Sequence, residues 1–583
     1  MNIASFLVRV IEGIGVTQGF SLVGGMAMHL NRAAGSGKLH MIYCNHEQAV
    51  VSAADGYTKA ADFSVPGLAI VTSGPGVTNT VTALASAYYD SVPLILLAGQ
   101  VKSADVNRFG VRSFGAQEVP HTELLSPITK LSFSYHPSTV TNLELANNMA
   151  LAMTGRKGPV HIDIPLEVQA IDVKTDADVL EVVTFFHTLV AQDASQTCKL
   201  SEDLLLSLQT AQRPLLVLGN GLKIASIPNE VVSNLITHLG TPVLLTWASM
   251  DLLNYDHPLV FGCAGGLAGV HSNRILQAAD LIIFLGTRLD MLTTGFNPAA
   301  YGKNARRFVF ECDEAELGKY SSVAGLTGIR ADVRAVMRTL LATEITAPLA
   351  YAPWIAQCKS WQAENLLSEE REFATRKLNT YHVAALISSS AATRYVVPTA
   401  SGYAIEGLAR FYKTTNGSRF AWAGHVLGSM GLAIPSAVGA AARLDECVAC
   451  VDGDGGFLLN MQELYTIKAN PQLSIALFVL NNKGYASISN SQKRAFQETY
   501  GADTSSGLAP IDFTPLAEIA GLQYQRCETL DQLNAVVGSL VKGSRILVDI
   551  WMQEDGYRGP SITTKFDAHG RPYSTQLEDI AWR

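Results

Sequence analysis

The sequence of 583 residues is long enough for about three domains of ordinary size. Acidic side chains (51) outnumber basic ones (43), and the formal net charge of -8 argues against nucleic acid as the main partner, which would call for a basic face. Hydrophobic residues make up 48% and charged residues only 16%, so the chain can bury large cores and is not a disordered polymer.

The N-terminal stretch MNIASFLVRVIEGIGV predicts an amphipathic helix rather than a signal peptide, since it lacks a charged leading segment and a small-residue cleavage site. No segment approaches the ~18 uninterrupted apolar residues of a membrane span, so we expect no membrane association. Cys447 and Cys450 fall in the apolar run CVACV, which favours buried strand positions; a zinc site would need a second such pair. We expect a cytoplasmic protein with reduced thiols.

Short apolar runs alternate with helical patterns along the whole chain. Continuous runs that end in Gly, Asn, Asp or Thr are typical of buried parallel strands. The sequence therefore predicts an α/β protein with doubly wound parallel sheets. The predicted strands lie in GLAIVTSGPG, VPLILLAGQV, RPLLVLGNG, TPVLLTW, ADLIIFLGTR, RRFVFECD, CVACVDGDGG, LSIALFVLNN and RILVDIW.

Two polar, irregular stretches, at about 172–201 and 347–367, are predicted to be linkers. They divide the chain into three predicted domains. The final segment, from YRGPS to IAWR, is rich in turn residues, and we expect it to wrap over the surface or the active site. The predicted domains span residues 1–185, 186–360 and 361–583.

Glu47 stands at the junction between a predicted strand and a predicted helix, within HMIYCNHEQAVVSAADGYTKA. The helix dipole favours a glutamate in a first turn, so this residue alone is equally consistent with helix stabilisation. The strings TSGPGVTN and DSVPLILLAGQV, which follow downstream, give it a functional context.

The strongest chemical pattern is the GDG turn at 453–455, followed by a pair of asparagines that ends the next apolar run. In a parallel sheet both turns lie at the carboxyl edge, where ligands of open α/β sheets bind. Asp454 and Asn482 offer the oxygen ligands that magnesium prefers, and the helix beginning near Gly456 presents N–H groups to a diphosphate. Two ordinary strand-end turns or a nucleotide-binding turn remain alternatives, although no Walker-type lysine loop is present.

The GDG-to-NN spacing resembles the metal motif of the thiamine diphosphate (ThDP) enzyme family. The resemblance implies that Asp454 and Asn482 bind Mg²⁺ by side chain and Gly484 by its carbonyl. It also implies that Glu47 hydrogen-bonds the aminopyrimidine ring and that Met430, in AGHVLGSMGLAIPSAVGAA, holds the cofactor bent. The other residues that the resemblance assigns to ThDP are Gly74, Pro75, Asn79, Gly402, Tyr403, Gly428, Gly453, Gly455, Gly456 and Tyr485.

The three predicted domains then correspond to a pyrimidine-binding domain, a central FAD-binding-like domain and a diphosphate-binding domain with a C-terminal tail. In the family, the pyrimidine domain of one subunit meets the diphosphate domain of another. The resemblance therefore implies a homodimer or homotetramer in which Glu47 and Asp454 meet across the interface.

Within the family, the chain resembles the acetohydroxyacid (acetolactate) synthase branch through SGPGVTN, FGAQEVP, GPVHIDIP, RPLLVLGNG, GLAGVHSNR, GTRLD and GSMGLAIP. That branch decarboxylates pyruvate and adds the two-carbon unit to a carbonyl acceptor, with the cofactor carrying the chemistry. Gln117 matches a glutamine that faces the bound intermediate in that branch.

Four departures distinguish the chain from that synthase: Ala116 replaces a phenylalanine, Leu166-Glu167 a Lys-Asp pair, Ser491 a tryptophan and Tyr403 a glutamine. A roomier pocket would admit an acceptor larger than a second 2-oxo acid. This combination resembles the flavin-containing branched-chain-sugar (yersiniose-type) carboligases, which act on the keto group of a nucleotide-activated deoxysugar and also accept simple ketones.

The central segment resembles the domain that holds FAD in the synthase branch, and we expect FAD with a structural role. The Gly-Asn-Gly turn alone is weak support, because any strand-to-helix turn can use it. The residues that the resemblance assigns to FAD are Gly219, Gly221, His271, Gly286, Arg288, Asp290 and Asp313.

Other members of the family remain alternatives: an ordinary acetolactate synthase, a pyruvate oxidase that uses ThDP with FAD, and a carbon–carbon hydrolase. A catalytically silent homologue is disfavoured, because it has no chemical need for Glu47, Asp454 and Asn482 together. A decarboxylase is disfavoured because Ile488 stands where such enzymes have a proton-donating glutamate. His121 stands alone, and a lone loop histidine of this kind is expected at the surface.

Overall fold

The computed structural model describes residues 1–321, 323–344, 351–374, 376–415, 417–552, 559–562 and 564–580. Within these ranges the chain forms three six-stranded parallel sheets flanked by helices, which confirms the predicted α/β class. No helix in the described ranges is both long enough and apolar enough to cross a membrane.

The first sheet has the strand order β2-β1-β3-β4-β6-β5. Its strands are β1 (Gln18–Ser21), β2 (His40–Tyr43), β3 (Gly67–Val71), β4 (Leu94–Gln100), β5 (Leu131–Ser134) and β6 (Pro159–Pro165). Its helices are α1 (Ile3–Gly13), α2 (Met28–Ser36), α3 (Glu47–Ala60), α4 (Pro75–Thr78), α5 (Val81–Tyr89), α6 (His121–Leu125), α7 (Asn142–Ala150), α8 (Leu166–Gln169) and α9 (Asp176–Ala194).

The second sheet has the order β12-β11-β10-β7-β8-β9, the same pattern as in doubly wound dinucleotide-binding folds. Its strands are β7 (Pro214–Leu218), β8 (Val243–Leu245), β9 (Val260–Cys263), β10 (Leu281–Leu285), β11 (Arg306–Glu311) and β12 (Leu326–Arg330). The helices of this part are α10 (Glu202–Thr210), α11 (Gly221–Ile224), α12 (Asn229–Leu239), α13 (Val270–Ala278), α14 (Glu314–Gly318), α15 (Val333–Ala342) and α16 (Ala352–Phe373).

The third sheet, β14-β13-β15-β16-β18-β17, repeats the strand order of the first. Its strands are β13 (Tyr395–Pro398), β14 (Arg419–Phe420), β15 (Val448–Gly453), β16 (Ile475–Asn481), β17 (Gln523–Cys527) and β18 (Arg545–Trp551). Its helices are α17 (Thr380–Ser389), α18 (Gly402–Phe411), α19 (Ala433–Arg443), α20 (Asp454–Leu458), α21 (Glu463–Ala469), α22 (Ala486–Phe496), α23 (Thr514–Ala520) and α24 (Leu530–Ser539).

The central strands are buried on both faces, as their unbroken apolar runs predict. The prediction for the cysteine pair is also confirmed: Cys450 is buried in β15, and Cys447 is buried just before it. All eight cysteines lie within the described ranges and are free thiols.

Both predicted linkers are wrong in part, because each contains a helix. Helix α9 begins with a capping box at Thr175 and buries Val179, Val182 and Phe186 at helical spacing against the first domain. Helix α16 carries a proline in its first turn, where the missing N–H has no partner to lose. Residues 345–350 of the second linker lie outside the described residues.

The predicted boundaries at 185 and 360 each fall inside one of these two helices. The exact division into domains therefore stays a prediction.

Part of the C-terminal tail packs on the central domain. An antiparallel hairpin of β19 (Thr564–Phe566) and β20 (Pro572–Ser574) precedes Leu577 and Ile580, which are buried in the core of that domain. Glu578 accepts a hydrogen bond of 2.6 Å from the Gln277 side chain. Residues 557, 558, 563 and 581–583 of the predicted tail lie outside the described residues.

Helices α3 and α19 join the first and third sheets through an unusually close backbone contact. A Cβ atom on Gly439 would lie 1.8 Å from the Ala53 carbonyl oxygen, and one on Gly56 would lie 2.0 Å from that of Ser436. Side chains at these two positions would collide with backbone, which cannot rotate away. The two glycines therefore set the distance between the domains.

Gly439→Ala should lower the free energy of unfolding by about 3 kcal/mol, the upper part of the range for overpacking. Urea unfolding followed by circular dichroism measures the effect. Gly538→Ala is the matched control, because Gly538 is exposed in α24 and its new Cβ meets open space. The control should be neutral or stabilising by up to ~1 kcal/mol, since alanine is the better helix former. Equal effects in the two variants would contradict the role of the close contact.

Candidate active site

A cavity of about 1170 Å³ opens at the carboxyl edge of the third sheet, where the strand order reverses between β13 and β15. Such a switch point is where open α/β sheets bind ligands. The structure brings eleven of the residues predicted for ThDP and metal to this one cavity. They are Gly402, Tyr403, Gly428, Met430, Gly453, Asp454, Gly455, Gly456, Asn482, Gly484 and Tyr485.

Asp454 and Asn482 follow the neighbouring strands β15 and β16. The Asp454 carboxylate accepts N–H groups from Gly455 (2.8 Å) and Gly484 (2.9 Å), and burial raises the pKa of this carboxyl to about 6. Asn482 Oδ1 is buried and accepts no hydrogen bond from the described part of the chain. An unsatisfied buried oxygen is costly, so the pair fits an oxygen-seeking cation such as Mg²⁺.

Two glycines of this site, Gly455 and Gly484, leave no room for side chains. A Cβ on Gly455 would lie 2.3 Å from the Tyr485 ring, and one on Gly484 would lie 2.5 Å from the Ala502 carbonyl oxygen. Gly484 also has a φ of +146°, which side-chain-bearing residues rarely adopt. The main chain can therefore come close to a diphosphate, and Gly455 and Gly456, at the start of α20, line the cavity.

Asp452 is a residue of this cavity that the sequence analysis missed. Its Oδ1 accepts the Gly453 N–H (2.8 Å), its Oδ2 is buried without a partner in the described chain, and burial raises its pKa to about 7. A Cβ on Gly456 would lie 2.4 Å from Oδ1, so Asp452 lies directly beneath the turn. An acidic residue inside the apolar run VACVDG is the signal that could have found it.

The wall opposite the GDG turn is made by helices α18 and α22. Asn490 donates a hydrogen bond of 2.9 Å to the Tyr403 hydroxyl and so fixes the ring at the cavity wall. Ile488 lines the same wall and is half-exposed, and Met430 lines the cavity as well. Ser491 lies on α22 with its hydroxyl bonded to the Ser487 carbonyl.

The predicted pyrimidine residues cluster at the carboxyl edge of the first sheet. Glu47 begins α3 and is buried, and Asn79 Nδ2 donates a hydrogen bond of 2.9 Å to its Oε2. Gly74, with φ +63°, caps α4, which Pro75 begins. Gln117 is exposed with φ +62°, and its backbone lies so close to Gly74 that only glycine fits there.

The expectation that His121 lies at the surface is wrong. The ring is buried, its Nδ1 lies 2.9 Å from Asp163 Oδ1, and its Nε2 accepts the Gly74 N–H at 3.3 Å. Asp163 lies near the carboxyl end of β6, so the sheet brings it next to His121 at the start of α6. The pair supports the Gly74 turn from below, a long-range contact that no local pattern reveals.

Within one chain, the described residues that line the diphosphate cavity all follow residue 379, and Glu47 and Asn79 are not among them. The two predicted halves of the ThDP site therefore do not share this cavity within one chain.

A second cavity, of about 910 Å³, lies at the carboxyl edge of the central sheet, at the switch between β7 and β10. Gly221, Gly286, Arg288 and Asp290 line it, as the FAD prediction expects. Gly219 lies against this turn, since a Cβ there would come within 2.3 Å of the Gly286 carbonyl oxygen.

Several cationic residues of this second cavity were not predicted. Arg156, from the first domain, lines it and forms ion pairs of 2.9 Å with Asp313 and Glu316. Lys157 lines it as well, and burial lowers its pKa to about 7. Asp313 thus reaches the cavity only through Arg156. These residues are distant in sequence, and only the packed domains bring them together.

His271 is not brought to this cavity. It lies in the first turn of α13, buried, with its Nε2 3.3 Å from the Ser272 hydroxyl, and burial lowers its pKa to about 4. It lines a separate small cavity together with Tyr255 and Glu369. Its predicted contact with FAD is therefore without support in the geometry.

Family models for thiamine pyrophosphate enzymes match the chain in three places. They are the N-terminal TPP binding domain over residues 1–125, the central domain over 202–340 and the C-terminal TPP binding domain over 401–550. The chain belongs to the thiamine diphosphate enzyme family. Within it, this protein is an acetolactate synthase-like enzyme, of the transferase or lyase type.

Similar proteins span nearly the whole chain. Acetolactate synthase isozyme 1 large subunit of Escherichia coli (strain K12) is 30% identical over 537 residues, 90% of this chain and 89% of that protein. Isozyme 2 large subunit of the same organism is 29% identical over 546 residues, 93% of each chain. A probable acetolactate synthase large subunit of Methanococcus aeolicus is 28% identical over 554 residues, 92% of this chain and 89% of that one.

Asp454→Asn should weaken Mg²⁺-dependent ThDP binding by at least ~tenfold, because the site loses its buried negative charge while its shape is kept. Isothermal titration with ThDP at fixed Mg²⁺ measures the effect. Asp445→Asn is the control, since that side chain is 91% exposed and pairs only with a surface lysine. Unchanged ThDP affinity in Asp454→Asn would refute the metal role.

Proposed function

We propose that this enzyme is a carboligase that decarboxylates pyruvate and transfers the two-carbon unit to a carbonyl acceptor. The acceptor is a 2-oxo acid or a ketone, including an activated keto-deoxysugar as in the yersiniose-type subgroup. The observation that carries the proposal is the cavity in which the GDG turn, the unsatisfied Asn482 oxygen and Met430 converge. We further propose Mg²⁺ as the metal and the cytoplasm as the location.

Asp454, Asn482 and the Gly484 carbonyl would hold Mg²⁺, and the N–H groups of α20 would hold the diphosphate. Bound ThDP supplies an acidic thiazolium carbon that stabilises the negative charge left when a 2-oxo acid loses carbon dioxide. Met430, partly exposed at the cavity wall, would press against the cofactor and keep it bent.

Glu47 would hydrogen-bond the pyrimidine nitrogen and share a proton with it. Asn79 donates a hydrogen bond to one carboxylate oxygen and so restrains the side chain of Glu47 at the start of α3. A fixed carboxylate of this kind can favour the imino form of the ring, which is the role of the activating base.

The wall around the reacting centre favours carboligation over aldehyde release. Ile488, Met430 and Met552 present apolar atoms to the cavity, and Tyr403 and Ser487 present hydroxyls. Among the described residues that line the cavity, the only carboxylic acids are Asp452 and Asp454 at the GDG turn, and none is a histidine, so this wall carries none of the usual donors of a proton near neutral pH. This wall would therefore not quench the two-carbon unit by protonation before a second carbonyl compound reaches the site. Gln117 would face that centre from the pyrimidine half.

Two copies of the chain would complete the active site. The Glu47 half and the Asp454 half lie apart in one chain, so a homodimer, or a homotetramer built from it, would join the two halves from different subunits. Exposed apolar residues near the diphosphate cavity support this assembly. They are Val426, Leu427, Met430, Leu458, Leu459, Met461, Tyr465 and Ile488.

FAD would occupy the central cavity, whose strand order and glycine turns suit a dinucleotide. Arg288 and Arg156 would neutralise the pyrophosphate, and Gly221 and Gly286 would let the backbone approach it. The flavin would have a structural role, because carboligation needs no redox step. Visible flavin absorbance in the supernatant of heat-denatured protein would support this cofactor.

Product analysis by NMR tests the function. The protein is mixed with ThDP, Mg²⁺ and pyruvate, with and without a ketone acceptor. A tertiary alcohol formed only with the ketone would support the branched-product carboligase. Formation of acetolactate alone would support an ordinary acetolactate synthase instead. No consumption of pyruvate would refute the donor and favour the hydrolase alternative.

Glu47→Gln should reduce kcat by at least ~100-fold while ThDP affinity stays within about threefold, because the imino form loses its support but no diphosphate contact changes. Steady-state rates and titration calorimetry measure the two effects. Glu230→Gln is a matched control, since Glu230 is an exposed glutamate in the first turn of α12. A Glu47→Gln rate close to that of the control would overturn the assignment.

A further inference from the structure

One short segment connects the two cavities. The bridging segment, residues 424–430, follows β14 and ends at the proposed cofactor residue Met430. His425 lines the central cavity, whereas Gly428 and Met430 line the diphosphate cavity. A displacement at one end of this segment has only a few residues in which to be absorbed before it reaches the other.

Asp90, from the first domain, holds the central-cavity end of the bridging segment. It follows α5, is buried, and accepts the N–H groups of His425 (3.0 Å) and Val426 (2.8 Å) on its two carboxylate oxygens. Two hydrogen bonds to one charged, buried group fix both the position and the direction of the backbone.

A buried lysine keeps Asp90 ionised. Lys59 Nζ lies 3.4 Å from Asp90 Oδ2 and 2.8 Å from Asp55 Oδ2, and it donates to the Trp422 carbonyl at 2.8 Å. Burial alone would raise the pKa of Asp90, but Lys59 and the hydrogen bonds at His425 and Val426 lower it to about 2. The Asp90 carboxylate therefore remains charged at neutral pH.

His425 makes the bridging segment sensitive to what fills the central cavity. Its ring lies 4.3 Å, centroid to centroid, from Trp247 of the central domain, and its Nδ1 lies 3.5 Å from Asp90 Oδ1. A ligand in this cavity would meet the exposed side of the ring and restrict it against Trp247. The restriction would act on the same backbone that Asp90 holds.

The other end of the segment is also held from outside. Asn460 donates a hydrogen bond of 2.7 Å to the Gly431 carbonyl oxygen, and Gly431 lies against Leu459 so closely that only glycine fits. Between these two anchors, Gly428 has φ +68° and donates its N–H to the Gly424 carbonyl at 2.8 Å. The segment is therefore a closed turn with two fixed ends.

We propose that Asp90 and His425 are positioning residues that couple the central cavity to the ThDP site through the bridging segment. Asp90 sets where Gly428 and Met430 stand, and His425 transmits occupancy of the central cavity to them. This inference rests on the proposed roles of ThDP and FAD, and it adds a coupling between their affinities. By thermodynamic linkage, FAD must tighten ThDP by the same factor by which ThDP tightens FAD.

The test measures the dissociation constant of ThDP by titration calorimetry at fixed Mg²⁺, on full-length protein freed of flavin and again with saturating FAD. In the unmodified chain FAD should tighten ThDP by about fivefold or more. His425→Ala should leave the affinity without FAD within about twofold, and the effect of FAD should fall below about twofold. His187→Ala is the matched control, because His187 is an exposed residue of helix α9. This variant should keep the full effect of FAD on ThDP affinity.

Asp90→Asn should weaken ThDP by about tenfold even without FAD, because one N–H loses its charged acceptor. If Asp90 has only a structural role, Asp90→Asn should lower the melting temperature but leave the ThDP affinity of the folded protein unchanged. That result would refute the positioning role of Asp90. If Asp90→Asn does not fold, the His425→Ala comparison still decides the coupling.

The outcomes separate this inference from the proposed function. FAD that binds without changing ThDP affinity would refute the coupling and leave the proposed function intact. No heat of FAD binding would refute both the flavin proposal and the coupling. No binding of ThDP by the unmodified chain would refute the proposed function itself.

Discussion

The site depends on two oxygens buried at the ends of adjacent parallel strands. Asp454 and Asn482 are placed together because β15 and β16 pair in parallel, so that both strands end at one edge of the sheet. Removing a carboxylate and an unsatisfied amide oxygen from water costs free energy of folding. A divalent cation would offset that cost, and its charge would in turn attract a diphosphate. The glycines of the turn line the same cavity and would let the backbone approach that anion.

The repeated alternation of apolar runs and helical patterns was sufficient to predict the fold class and the carboxyl-edge turns. It could not predict where helices replace polar stretches, because α9 depends on apolar residues spread through a polar segment, and only packing on the first domain shows which face they share. It also could not place His121, whose partners Gly74 and Asp163 are distant in sequence. Asp452 was missed although its position in an apolar strand was visible. Motif spacing therefore identifies ligands that lie next to a strand end and fails for groups that act through tertiary contacts.

The central cavity also contains residues that sequence motifs could identify and residues that they could not. Gly221 and Gly286 could be predicted from the sequence because each follows a strand. Arg156 and His425 come from the two other domains and reach the cavity only when the domains pack. His271, which short-string matching assigned to FAD, lies beside Ser272 in the first turn of α13 and lines a different cavity, so its role stays a prediction. A cavity built by three domains is therefore defined by the interface as much as by the central sheet.

The contact that sets this interface is the approach of α3 to α19. Glu47 begins α3, and α19 begins three residues after Met430, so one pair of helices carries a residue of each half of the ThDP site at or near an end. Gly56 and Gly439 bring these helices into backbone contact, which fixes the two halves relative to each other within the chain. Because the Glu47 half does not share the diphosphate cavity within one chain, a second copy that completed both sites at once would have to do so by a two-fold arrangement, in which each half meets its complement. The same small-residue contact that holds one chain together would then determine the geometry of the pair.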